Sequence, residues 1–293
     1  MLGIRVPATT ANMGPGFDCL GVALSIYNEF YFEEMESGFI IEGCPDEFKN
    51  KNNLMYTSYR KTLDMSGSPY KGIRIVFKSN IPISKGLGSS GSCIIAGIAA
   101  ANAIADLKLS REDILNIASV IEGHPDNITP AIIGGMTASV AEDSKVYYAS
   151  INLPCDIKFC AFIPDFTLST KLSRSVLPKS IPYKDAVFNI GRVSILVAAL
   201  NSGRTDLIPV GVKDRIHSIY RKGFIEDYDH IIEACVQSGA LGVFLSGAGP
   251  TIMCIIKTDD NGFIQRAMKR LKSLNHKWDG IILNPDLKGY SLI

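Results

Sequence analysis

One stretch constrains the fold of this chain more than any other: Pro82-Ile-Ser-Lys-Gly86-Leu-Gly88-Ser89-Ser90-Gly91-Ser92, running straight into CIIAGIAAANAIA at 93–105. Glycines let the backbone turn tightly with its N–H groups converging. The helix that follows aims the positive end of its dipole into the same concavity. Upstream, GIRIVFK at 72–78 alternates with period two and reads as a strand. The expected unit is therefore strand, glycine turn and buried helix, with a hollow shaped for phosphate at the turn. Ser89 and Ser90 bring hydroxyls for phosphate oxygens or Mg²⁺, and Lys85 brings one cation. The apolar run is about 13 residues against the roughly 20 that a bilayer requires, so it reads as a core helix, expected at 90–105.

Two nucleotide motifs are excluded by context. Gly86-x-Gly88-x-x-Gly91 matches the dinucleotide fingerprint on paper, with Asp106 twenty residues past Gly86. That fingerprint places its first glycine directly after a strand and its acid at the end of a second strand. Here Pro82 and three further residues intervene, and Asp106 ends a helix. No GxxxxGK[ST] is present, which excludes a P-loop.

The rest of the chain alternates strand-like and helix-like segments. Strands are expected at 4–8, 28–34, 39–42 and 72–78, as a pair within 134–150, at KFCAFIP, as LGVFLS and TIMCII around a glycine turn, and near residues 280 and 290. Helices are expected at 90–105, from the capping box Ser110-Arg-Glu-Asp113 to about Glu122, and at 184–201, 225–238 and 262–274. Interleaved strands that look antiparallel give an α+β fold class. NLPCD at 152–156 marks a boundary, dividing the chain into domains 1–152 and 153–293.

Composition narrows the partners. Among 293 residues, 30 Lys and Arg face 29 Asp and Glu, a net charge of +1. Nucleic-acid partners are excluded, because polyanion affinity comes from clustered basic side chains. No membrane span and no secretory signal are read, and a cytoplasmic location is expected. The seven cysteines are odd in number and scattered, and the four histidines form no HExxH. Neither a disulfide framework nor a zinc site is indicated.

PxxxGLGSS ahead of an apolar helix resembles the ATP-binding motif of the GHMP kinases. Two other segments fit the same superfamily: VPATTANMGPGFD at 6–18 and SGAGPT at 246–251. Within it, the first segment and EGHPDNITPAIIGG at 122–135 are similar to the homoserine kinase family. The resemblance spans nearly the whole chain. It implies a two-domain fold, ribosomal-protein-S5-like then ferredoxin-like, and phosphorylation of the side-chain hydroxyl of L-homoserine with ATP and Mg²⁺, on the route to threonine. A mevalonate- or shikimate-type kinase is the alternative, and a homodimer is possible.

For a zwitterionic substrate, Asp18 and Asn12 suit the ammonium, while Arg174 and Arg221 suit the carboxylate as bidentate forks. Of the two arginines, Arg221 stands in the less distinctive surroundings. By resemblance His124 and Asn127 bind around the reacting hydroxyl, with Asn127 orienting it. Asp126 is the candidate base, although homoserine kinases are thought to work without one. Glu122 would ligate Mg²⁺ together with Ser90, preferred over Ser89. Pro82, Lys85, Gly86, Leu87, Gly88, Ser89, Ser90, Gly91 and Ser92 would bind the nucleotide. SGAGPT is read as structural support. One departure is Gly91-Ser92-Cys93 where family members commonly carry a helix former after the two serines.

Overall fold

The computed structural model describes residues 1–272 and 274–293. Its first sheet is built from β1 (Leu2–Ala11), β2 (Leu20–Met35), β3 (Phe39–Glu42), β4 (Gly72–Lys78), β5 (Met136–Glu142) and β6 (Lys145–Ile151). β2 is the spine. Its first residues pair with β5, its later ones with β4, and β1 runs beside almost its full length. The strand expected at 28–34 is longer because residues 20–27 find partners on both sides.

Among the described residues, this half carries α1 (Leu54–Ser66), α2 (Ser89–Ile104), α3 (Arg111–Glu122) and α4 (Ile128–Ile133). Ile94, Ile95 and Ile98 of α2 are fully or almost fully buried in one cluster with Ile4, Phe30, Phe32, Ile73, Ile75 and Tyr59. Burying each such side chain is worth about 1.5–3 kcal/mol. α2 is apolar almost all round because β1 and β2, α1 and α3 enclose it. The capping box of α3 forms as expected, with Ser110 and Asp113 each bonding the other's backbone, and Gly123 ends the helix at φ +90°.

The second sheet holds β7 (Ile157–Pro164), β8 (Gly242–Leu245), β9 (Ile252–Lys257) and β10 (Trp278–Leu283), in the order β10-β7-β9-β8 and antiparallel throughout. Its helices are α5 (Thr170–Ser175), α6 (Tyr183–Ser202), α7 (Ile208–Gly211), α8 (Ser218–Arg221), α9 (Tyr228–Gln237) and α10 (Phe263–Arg270). One face packs Cys160, Phe162 and Cys254 against α9 and α10. The other packs Phe159, Met253 and Ile255 into a cluster with Val22, Leu24 and Met136 of the first sheet.

The boundary expected at 152/153 falls in the turn between β6 and β7, where the chain passes from one sheet to the other. A final strand, β11 (Ser291–Leu292), returns to pair with β1. The helix expectations change in three ways. α1 and the short α4, α5, α7 and α8 were not foreseen. The helix expected at 225–238 begins only at Tyr228, after Asp227 at φ +59°, with α8 and a tight turn before it. The helix expected at 262–274 ends at Arg270, and Ser273 lies outside the described residues.

Candidate active site

The glycine-rich loop closes the chain against the second sheet. Gly86 and Gly88 adopt φ +77° and +73°, in the left-handed region that costs other residues strain. A Cβ on Gly86 would lie 2.3 Å from the Ser246 carbonyl oxygen, and one on Gly88 would lie 2.0 Å from Thr9 Oγ1. SGAGPT is the clasp. Ser246 Oγ donates to the Gly86 carbonyl at 2.6 Å and accepts from Thr10 at 2.8 Å. The Gly247 carbonyl accepts from Asn12 Nδ2 at 2.9 Å and from Arg221 Nη1 at 3.0 Å.

A cavity of about 560 Å³ opens over this loop. It is lined by Pro82, Lys85, Gly86, Leu87, Gly88, Ser89 and Ser90, and by Asn12, Asp18, Glu122, His124, Asp126, Asn127, Arg174 and Arg221. The structure thus brings together residues spread from position 12 to position 221. Gly91 and Ser92 stand back from the lining. A Cβ on Gly91 would face Ile128 at 3.1 Å, and the buried Ser92 hydroxyl donates to the Ser89 carbonyl and accepts from Asn28. Lys85, expected as the local cation, lines the cavity with its ammonium already bonded to backbone. Its ammonium donates to the carbonyls of Pro164, at 2.7 Å, and Phe166, groups at and just beyond the end of β7 that need a donor. Positive potential at the loop comes from this ammonium together with the N-terminus of α2 and the loop amides.

Ser90 Oγ donates to Glu122 Oε2 at 3.0 Å across the mouth of the loop. Burial raises the Glu122 carboxyl above its ordinary pKa, against the lowering influence of His124 and the Ser90 hydrogen bond. A half-buried carboxylate beside a hydroxyl is a hard oxygen donor pair, which fits Mg²⁺.

Beyond α3, residues 124–127 form a knot. His124 Nδ1 meets Asp126 Oδ1 at 2.7 Å, and the same oxygen accepts from the Asn127 amide N–H at 2.9 Å. Burial opposes the charge on His124. The hydrogen bond and charge of Asp126, with Glu122, outweigh it and hold the ring above its ordinary pKa. Thr9 donates to Asn127 Oδ1 at 2.7 Å and Asn127 Nδ2 donates to Asp126 Oδ1 at 3.4 Å, so the group Asn127 has left to offer the cavity is its second amide N–H, not its acceptor. Ligand atoms of Asp18, His124 and Asp126 lie within 4.8 Å of one another, a pole suited to a cation.

The cationic pole lies beside it. Arg174 grips Asp18 with a fork, Nη2 to Oδ1 at 2.6 Å and Nη1 to Oδ2 at 3.1 Å. The two groups assigned to opposite ends of a zwitterion are therefore each other's partner, and a ligand engaging both replaces one bridge with two. Arg221 is 1% exposed, and among the described residues its hydrogen bonds go to the Ser173 and Gly247 carbonyls and to His217. Burial first, and then Arg174, pull its pKa down to about 10. A buried cation held only by neutral groups is costly until an anion joins it. Arg221, in the less distinctive sequence surroundings, is thus the more deeply buried of the two arginines.

Sequence reasoning missed the opposite end of the cavity, where Cys44, Phe48, Leu54, Met55, Phe77 and Cys93 supply apolar surface and Asn50, Asn52 and Asn53 supply amides. The available signal was the helical spacing of Met55, Tyr56, Tyr59 and Leu63 behind an Asn53 cap.

A glycine loop over a helix N-terminus, an oxygen pair for a cation and a two-pole pocket define a small-molecule kinase of the GHMP class. The GHMP kinases N terminal domain model matches residues 53–135, and the GHMP kinases C terminal model matches residues 198–273. Homoserine kinase of Clostridium botulinum (strain Kyoto / Type A2) is 50% identical over 279 residues, covering 95% of this chain and 94% of that one. Homoserine kinase of Caldicellulosiruptor bescii is 45% identical, covering 99% and 96%. The chain belongs to the homoserine kinase family of the GHMP kinases. The crystal structure of homoserine kinase from Cytophaga hutchinsonii superposes with a TM-score of 0.90 at 28% identity, covering 100% of this chain and 97% of that one. The α+β two-domain class holds. Mevalonate kinase of L. major, at TM-score 0.69 and 17% identity, shares the fold alone.

Proposed function

We propose that this protein transfers the γ-phosphoryl group of ATP to the side-chain hydroxyl of L-homoserine, giving O-phospho-L-homoserine for threonine synthesis. The observation that carries the reading is the single cavity on which the α2 N-terminus, the Ser90–Glu122 pair and the two charged poles converge. Its apolar end, with Phe77 and the neighbouring amides, takes the adenine. The glycine loop takes the phosphates. Residues 1–152 act as the nucleotide-holding unit, and residues 153–293 supply Arg174, Arg221 and the clasp.

When bound, Mg²⁺ neutralises charge on the phosphates, and Ser90 and Glu122 are the residues that would hold it. The ammonium of homoserine is received by Asp18, with the Asn12 side chain fixing the turn through its bond to the Asp18 amide at 3.0 Å. Its carboxylate is received by Arg221 and Arg174. Asn127 donates to the reacting hydroxyl oxygen and so orients it. Asp126 has one oxygen occupied by donors from His124 and Asn127, which makes it a holder of those groups. Phosphoryl transfer tolerates the lack of a strong base, because its transition state forms little bond to the nucleophile.

Mevalonate presents no ammonium to the pole of Asp18, Asp126 and His124, which disfavours the alternative kinase. An ADP-release assay with ATP and Mg²⁺ across homoserine, mevalonate, shikimate and galactose tests the reading. Homoserine is expected to turn over best; turnover no better than that of the other three sinks it.

A further inference from the structure

The segment KDRIHSIYR at 213–221 carries Arg221 at its end and a histidine four residues earlier, so both side chains rise from one face of the turn that becomes α8. His217 is wholly buried and, though it bonds Arg221, does not itself line the cavity. Its Nε2 lies 2.7 Å from the carbonyl oxygen of Gly14, and its Nδ1 lies 3.3 Å from Arg221 Nη1. A carbonyl only accepts and a guanidinium only donates. The proton must therefore sit on Nε2, and Nδ1 must be bare. The neutral Nε2–H tautomer is the one form that satisfies both partners.

The ring also stacks on Phe17, with centroids 5.2 Å apart and planes at 26°. Phe17 in turn carries the Arg221 and Arg174 guanidinium carbons at 5.1 and 5.4 Å from its centroid. His217 thus joins two pieces of the pocket: the β1–β2 loop that presents Asn12 and Asp18, and the helix that presents Arg221. We propose that His217 is a positioning residue that sets the spacing between the ammonium and carboxylate poles, and that it does so only as the neutral tautomer.

Three charged groups face the ring. Asp214, from the turn before α8, has Oδ2 3.6 Å from Nε2 but is engaged by the amides of Ile216, His217 and Ser218 and by the Asn189 side chain. Arg221 opposes a positive ring, and Asp18 on the β1–β2 loop favours one more weakly. Burial outweighs both carboxylates and keeps the imidazole below its ordinary pKa, so the neutral form is the resident one near neutrality. Protonation at lower pH would set an N–H against the guanidinium and release Arg221.

The inference rests on the proposed homoserine reading, and its test separates the two. Steady-state constants for homoserine and for ATP are measured in wild type, His217→Phe and His217→Gln between pH 5.5 and 7.5. Gln offers one acceptor and one donor at similar reach and does not titrate. His217→Phe should raise the homoserine KM about tenfold or more, the scale of a lost hydrogen bond to a charged group, with kcat and the ATP KM within about twofold. His217→Gln should recover most of that loss. The wild-type homoserine KM should rise toward pH 5.5 more steeply than that of His217→Gln, since His124 titrates alike in both and only the wild type carries the second imidazole. An unchanged homoserine KM in His217→Phe, an equal rise in the ATP KM, or the same pH slope in His217→Gln overturns the inference. Imidazole ¹⁵N shifts of the wild type need neither variant nor substrate: a ring carrying its proton on Nδ1, or cationic at neutral pH, also overturns it. Failure of the wild type to phosphorylate homoserine sinks the functional reading instead, and leaves the ¹⁵N result to judge the tautomer.

Discussion

Asp18 sits in the left-handed region at φ +56°, with Asn12 at +68° and Met13 at +44° in the same loop. Three non-glycine residues in this region form a strained turn, which persists only where surrounding bonds over-determine it. Here the Asn12 side chain, the Gly247 carbonyl and the Arg174 fork do so. Asp18→Asn keeps the shape and removes the charge. Homoserine then loses the partner of its ammonium, and its KM is expected to rise at least about tenfold, since hydrogen bonds to charged groups are worth about 1.5–3 kcal/mol. The ATP KM should hold within about twofold, because among the described residues the hydrogen bonds of Asp18 go to Asn12 and Arg174 and none to the glycine loop. Steady-state kinetics with each substrate varied in turn check this; an equal loss for both would mark Asp18 as structural. Asp18, Arg174, Ser90 and Glu122 were all named from sequence, yet their pairing was only half foreseen. Ser90 with Glu122 was implied by the family resemblance. Asp18 with Arg174 joins positions 156 residues apart, and no local pattern encodes which charge neutralises which.

At the scale of elements, what was legible depended on length and on local caps. α2, α3 and β4 stood out because each carries its period and boundary signals within a few residues. α5 and α8 span six and four residues, too short for a 3.6-residue period to register, and they carry the two arginines. Their place is set by bonds such as that of Ser173 Oγ to the Ala248 carbonyl at 2.8 Å. The glycine loop offers a test of element against cap. Gly86→Ala and Gly67→Ala both place a Cβ at positive φ, +77° and +66°. At Gly67, the cap of α1, nothing lies within 4 Å of the new atom, so only the left-handed cost of about 1–2 kcal/mol applies. At Gly86 the Cβ also strikes the Ser246 carbonyl oxygen, and the loop must leave its clasp. Gly86→Ala is expected to raise the ATP KM more than about tenfold, the consequence of misplacing a phosphate-positioning loop. Gly67→Ala should lower the melting temperature by a few degrees with ATP kinetics unchanged. Equal ATP constants in the two variants would show that the clasp does not shape the nucleotide site.

Over the whole molecule, the near-balance of charge means that ATP is held by placed groups and not by a general field, so the site depends on how firmly its parts are braced. The C-terminal segment is one such brace. β11 pairs Leu292 with Ile4 and Ser291 with Arg5 and covers the outer edge of β1. Before it, Asp286 donates its N–H to the Ala23 carbonyl, and its carboxylate accepts from the amides of Lys288 and Gly289 and from the Tyr27 hydroxyl. The Tyr290 N–H reaches the Ala131 carbonyl of α4, and Arg111 of α3 donates to the carbonyls of Ile132, Lys288 and Tyr290. The tail therefore ties together β1, β2, α3 and α4, and the turn between α3 and α4 is the one that presents His124, Asp126 and Asn127. Removing residues 285–293 uncovers the β1 edge and leaves several backbone groups to water. At about 1 kcal/mol for each lost hydrogen bond, and roughly 2–4 °C per kcal/mol for a domain of 150–250 residues, the melting temperature should fall by about 10 °C or more. The same deletion should raise the homoserine KM while sparing the ATP KM, because the loosened turn serves the acceptor end of the cavity. Calorimetry and kinetics on the truncated chain measure both. A melting temperature within about 2 °C of the full chain would mean that the first sheet and α4 hold without the tail, and that the turn owes its position to the Thr9–Asn127 hydrogen bond and the buried face of α4 alone.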